Sequence, residues 1–184
     1  MLFKSRLLSF ILVSCTLSSC EFHCSVGKTD ETPKKTVEDP KPVVQEGTAI
    51  YNHIEAKADH LQLKEAFLVD GNGDHIPSDN KVDLNGNIKL VLLIGDGWTI
   101  NNDTVLLGAS EKVTTDEGRV MMEENDLFSS MPRGVSAKDA KIIGISVNFR
   151  NSTGPLPPWL DVAFRVWDKK GEGSITGSYK LYPK

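Results

Sequence analysis

The stretch VDGNGDHIPSDN at 69–80 holds the residues with the plainest metal-binding spacing in the chain. A twelve-residue calcium loop takes side-chain oxygens at positions 1, 3 and 5, a glycine at 6 and a bidentate carboxylate at 12. Asp70, Asn72 and Asp74 fill the first three, but His75 stands at the sixth position and Lys81 at the twelfth. A cation where the closing carboxylate belongs works against a divalent ion. Asp-Gly and Asn-Gly are also turn formers, because these residues tolerate positive φ. A turn is the expected role, with weak calcium binding by Asp70, Asn72 and Asp74 as the alternative.

A second group could recognise a ligand. Trp159, Asp161, Ala163, Arg165 and Trp167 recur at period two, so a strand would place them on one face. The two tryptophans would lie roughly 26 Å apart at about 3.3 Å per residue. Arg165 is placed to stack on Trp167. Indoles beside a carboxylate and a guanidinium combine apolar area with oriented hydrogen bonds, which sugar or protein recognition uses. The competing role is packing, with both indoles covering the core at the strand ends. Trp98 is a further candidate for this surface. Asp161 and Asp168 are the carboxylates a glycosidase pair would draw on.

Other chemistry finds little support. His53, His60 and His75 are irregularly spaced and lack the pairing of a zinc site. No G-x-S-x-G nucleophile turn and no phosphate-cradling glycine loop occurs. Asn102-Asp103-Thr104 and Asn151-Ser152-Thr153 match glycosylation sequons. Asp103-Thr104-Val105 also resembles a bacterial O-glycosylation acceptor.

The chain begins MLFKSRLLSFILVSCTLSSC, with Lys4 and Arg6 ahead of an apolar run at 7–16. That run suits an export leader and falls short of the ~20 residues of a spanning helix. It ends in Leu17-Ser18-Ser19-Cys20, which resembles the lipobox of bacterial lipoproteins. The resemblance implies a signal peptide at 1–19 and a diacylglycerol thioether and N-acyl chain on Cys20, anchoring the protein to a membrane. Leu12-Val13-Ser14-Cys15 is a rival box, but only about five apolar residues precede it, below the ~7–15 such a leader carries. Glu21 follows Cys20 where an inner-membrane retention signal would have aspartate, so the resemblance points to the outer membrane. The domain as a whole is similar to uncharacterised bacterial lipoproteins of this build, a likeness that carries no activity.

Only Cys24 is left once Cys15 is removed and Cys20 lipidated, so the domain expects no internal disulfide and must be held by its core. Loss of Lys4 and Arg6 with the leader takes the net charge from −4 to −6. With no Lys/Arg block, nucleic acid is not an expected partner. Residues 20–47 are rich in Pro, Thr, Lys and Glu and read as a lipidated cysteine and disordered stalk. A flexible coil running from Cys20 to about Lys57 reaches on the order of 30–35 Å. Residues 48–184 make one domain, large enough to bury about two-thirds of its unfolded surface.

Seven segments, 60–69, 88–94, 104–115, 119–123, 142–150, 159–168 and 174–182, alternate or run apolar as strands do. Ser136 to Asp139 and EENDLFSS at 123–130 could each form a short helical turn. The expectation is an all-β fold, a single antiparallel β-sandwich of about seven strands and Ig-like, with a small β-barrel as the alternative. The immunoglobulin cysteines are absent, so the likeness is architectural. The expected protein is a non-enzymatic, lipid-anchored envelope component presenting a recognition surface to a glycan or protein. The alternatives are an assembly component that docks to other envelope proteins, or an accessory or inhibitor of a hydrolase. Apart from calcium, no cofactor is expected.

Overall fold

A computed structural model of the chain describes residues 41–45, 47–149 and 156–184. The expected leader, Cys20, Cys24 and the sequon at Asn151 lie outside these residues. The described residues form an open sandwich. One five-stranded sheet orders β1 (Val43–Gln45), β2 (Thr48–Ile50), β4 (Leu63–Val69), β6 (Asn87–Ile94) and β12 (Ile142–Asn148). The second orders β10 (Val120–Glu124), β9 (Leu107–Thr115), β13 (Leu160–Asp168), β14 (Ser174–Pro183) and β3 (Glu55–Asp59). The short β5 (Lys81–Val82) pairs with β14. A small third sheet orders β11 (Val135–Ser136), β8 (Thr104–Val105) and β7 (Ile100–Asn101).

Alternation builds the two layers. Along β13 the buried positions are Leu160, Val162, Phe164, Val166 and Asp168, and the residues between them face outward. In β6, Ile88, Leu90, Leu92 and Ile94 are buried. The inner faces meet in one core, where Leu68, Leu90, Leu92 and Ile145 of the first sheet join Val113, Leu160, Val162, Ile175 and Leu181 of the second. Each such side chain contributes about 1.5–3 kcal/mol on burial. The hairpin β13–β14 lies beside β9, and β6 lies between β4 and β12. Immunoglobulin domains place strands F and G beside C, and B between A and E, in the same way.

All seven expected segments contain strands, and the sheets stay open, so the barrel alternative fails. The strands β2, β3, β5, β7 and β11 fall outside the seven expected segments, and three further details differ from expectation. Two short pairings are parallel, β2 with β4 and β14 with β5. β1 lies inside the expected stalk, so pairing begins at Val43. The first expected strand starts at Leu63, because His60 has φ +55° and a bulge follows at Leu63/Glu65. Of the two expected helical turns the first forms, as a single 3-10 turn at Asp139–Lys141 with the Ser136 hydroxyl accepting from the Asp139 amide at 3.0 Å. In the second segment Glu123 and Glu124 belong to β10, and a non-helical turn follows in which the Asp126 carboxylate accepts from the Phe128 amide at 3.0 Å.

A polar lock joins distant parts of the chain. Asn52 and Asn80 are buried with φ of 56° and 52°. The Asn52 amide donates to the Ile76 carbonyl at 2.9 Å and to Asn80 Oδ1 at 3.0 Å, while its Oδ1 accepts from the Leu68 amide at 3.0 Å. The Asn80 amide donates to the carbonyls of Asn52 at 2.7 Å and Lys180 at 2.8 Å.

Candidate recognition face

The outward face of the second sheet is read row by row from its register. β13 is its middle strand, so each outward residue has a neighbour on both sides. Asp161 stands between Thr114 and Lys180, and Ala163 between Lys112 and Ser178. Arg165 stands between Ser110 and Thr176, and Trp167 between Gly108 and Ser174. The centre of the face therefore carries small and hydroxyl side chains together with Lys112 and Arg165, and the tryptophans stand at its two ends.

Each indole is folded onto the sheet and held there. Trp159 Nε1 donates to Asp161 Oδ2 at 3.1 Å. Lys180 Nζ sits 4.7 Å from the Trp159 ring centroid and 3.7 Å from Asp161 Oδ1. At the other end the Trp167 ring packs against Gly108 so closely that a Cβ there would overlap it. Arg165 Cζ lies 5.4 Å from the Trp167 centroid, the stacking that the i, i+2 spacing implied. Both indoles are half-buried, and Ala163 and Arg165 are exposed. Trp159, Asp161, Arg165 and Trp167 thus share one face, joined by Lys180, whose part the sequence did not disclose.

The other candidates separate from this surface. Trp98 packs against the core and donates from Nε1 to the Ala140 carbonyl at 3.0 Å. Asp161 and Asp168 point to opposite faces of β13, seven residues apart and so roughly 23 Å along the strand. Glycosidase carboxylates stand about 5–9.5 Å apart across one site, so this pair does not fit. Asp168 is buried and serves the backbone, accepting from the amides of Thr99 at 2.6 Å and Lys170 at 2.8 Å.

The loop at 70–74 is a turn built on Asp70. Its Oδ1 accepts from the amides of Asn72 at 2.8 Å and Asp74 at 3.0 Å, and its own amide donates to the Asp74 carbonyl at 2.9 Å. Gly73 supplies φ +89°. Among the described residues no three His, Cys, Asp or Glu side chains converge as a metal site. His75 joins an aromatic cluster, 4.7 Å from Phe67 and 6.0 Å from Tyr51 between ring centroids. His60 Nδ1 lies 3.1 Å from Asp59 Oδ1. The Asp103-Thr104-Val105 acceptor begins in the β7–β8 turn, where Asn102 and Asp103 have φ of 49° and 59°.

Two features were missed from the sequence. Glu111 is 1% exposed in the core; Tyr179 OH donates to its Oε1 at a long 3.5 Å, and Oε2 has no partner. Burial pushes its carboxyl up to about 7, and the tyrosine bond opposes only part of that rise. The same burial, together with the neighbouring carboxylate, raises the Tyr179 hydroxyl well above its ordinary range. The outward side of the first sheet is the second feature. Ile142, Leu93, Val91 and Phe67 adjoin there by register, and Ile142 is 63% exposed.

No protein-family model matches the chain, and no curated protein matches it.

Proposed function

We propose that this protein is a non-enzymatic, lipid-anchored component of a bacterial cell envelope, held at the outer membrane through Cys20, whose second sheet presents a recognition face to a glycan or protein. One observation carries the reading. Trp159 and Trp167 stand at the two ends of one outward strand face, each fixed by polar or backbone partners, with charged, hydroxyl and small side chains between them. Rigid aromatic anchors lose little entropy on binding, and a flat polar floor between them suits an extended ligand. The lipobox residues Leu17 to Cys20 and the stalk support the anchored placement.

Binding of the full-length protein to a glycan array and to envelope extract tests the face. Trp159→Ala and Trp167→Ala should each weaken retention while the protein stays folded; unchanged retention by both would sink the reading. Anchoring is tested separately. Cys20→Ala should release the protein from the membrane fraction, and continued fractionation with membranes would remove Cys20 from the account.

A second reading, docking to another envelope protein, is favoured by the apolar outward side of the first sheet. A contiguous apolar patch rimmed by polar residues is what a protein partner covers. Cross-linking that traps one dominant partner, and is lost with Val91→Lys, would favour it over glycan recognition.

A further inference from the structure

We propose that Arg165 and Trp167 together form the receptor for a sugar carboxylate, so that the ligand of this face is an acidic, uronate-containing glycan; the inference rests on the recognition-face reading above. The two tryptophans each hold a cation, but the two cations are not equivalent. At Trp159 the Lys180 charge is met by Asp161 at 3.7 Å, and Asp161 also takes the indole N–H. That triad is closed. At Trp167 the Arg165 guanidinium lies by the ring, and among the described residues no carboxylate comes within ion-pair distance of it. That pair is open.

The surrounding charges leave Arg165 as the group an anion would meet. Glu123 is engaged by Lys112 at 3.3 Å, and Asp59 faces His60 at 3.1 Å. Glu55 lies on an outermost strand, while Glu124 lines the same hollow as Arg165, beside the Lys112–Glu123 pair and outside ion-pair distance of the guanidinium. Lys57 shares the Arg165 row across Thr176, but Glu55 and Asp59 flank it on its own strand, so its charge is partly offset.

Geometry selects the chemistry of the ligand. A planar guanidinium beside an indole keeps its N–H edges free, and that fork matches a carboxylate with two parallel hydrogen bonds. The strand backbone and the Gly108 contact fix the indole, so little ordering is left to binding. One strand away, Ser174, Thr176 and Ser178 line up in register and present hydroxyls to the same side. Such a floor meets sugar hydroxyls. An acidic peptide motif is usually met by a cluster of arginines, and Arg165 is the single arginine in these rows.

Titration of the full-length protein with polygalacturonate, followed by tryptophan fluorescence, tests this, with dextran as a neutral glycan and poly-glutamate as an acidic peptide. Polygalacturonate should bind, more weakly as salt rises. Arg165→Gln should weaken it by about 10- to 100-fold with an unchanged melting temperature. Arg165→Lys should fall between, because the charge stays and the fork is lost. Lys89→Gln, which removes a cation from the outward side of the other sheet, should change little. Unchanged binding by Arg165→Gln, or equal binding of poly-glutamate, overturns the proposal. Dextran binding that ignores Arg165 overturns it too, while leaving the recognition face standing. If no polysaccharide binds, a glycan reading of the face fails with it.

Discussion

The Trp167 indole rests on the Cα of Gly108, its register neighbour on β9, in space that any other residue would fill with a side chain. The proposed recognition face and the stability of the sheet therefore meet at one pair. An alanine at 108 would ordinarily favour a strand interior over glycine by roughly 0.5–1 kcal/mol. Here it must displace the ring, and overpacking of this kind costs about 1–3 kcal/mol. Gly108→Ala is expected to destabilise the protein and to weaken ligand retention. In a Trp167→Ala background the same change should become neutral or stabilising. A double-mutant cycle by chemical denaturation measures this coupling, and purely additive effects would show that the indole does not occupy the site.

Glu111 gives the pH dependence a definite sign. Its folded value of about 7 lies above the ordinary 4.5. Between those values the folded protein keeps a proton that the unfolded chain releases. Its contribution to stability is thus fully present below 4.5, declines as pH rises through the window, and levels off above about 7. The loss is on the order of 3 kcal/mol. Glu111→Gln removes the titration, so thermal melts should show the variant gaining on the parent between about pH 5 and 8. Parallel curves across that range would mean that the carboxylate is solvated as it ionises.

The Asp70 turn is expected to be indifferent to calcium. Two loop amides already occupy its Oδ1. A ligand that binds the native state must raise the melting temperature by mass action. No shift should appear at millimolar calcium, and a clear rise would restore the loop of Asp70, Asn72 and Asp74 as a cation site.

Much of the outward face of the second sheet was legible because one-sided burial writes period two into a strand. Trp159 to Trp167 could be placed on one face, and Arg165 beside Trp167, from spacing within a single segment. Lys180 could not, since its position over Trp159 depends on the register of β13 against β14. Glu111 was open to the same parity argument: 107, 109, 111, 113 and 115 all face inward. Its charge disguised an inward position. The apolar run of β6 suits a central strand, and β6 does lie between β4 and β12, yet Val91 and Leu93 on its outward side are only half-buried. Composition reports apolar side chains and does not say what covers them. β1 escaped notice because three paired residues at a sheet edge are too short to show a period.

Were the protein tethered through Cys20 as proposed, the edge position of β1 would have a mechanical consequence. Tension arriving from the N-terminal side would load the Val43 to Ile50 pair first, and β1 would unzip from β2 one pair at a time. Peeling residues 43–47 would pay out about 15 Å of chain at low force. The load would then reach β2, which runs parallel to β4 and must be sheared rather than peeled. Just beyond it stands Asn52, bonded to Ile76, Leu68 and Asn80 at once. The protein would yield a short length of slack under a small pull and then resist, with the face around β13 undisturbed.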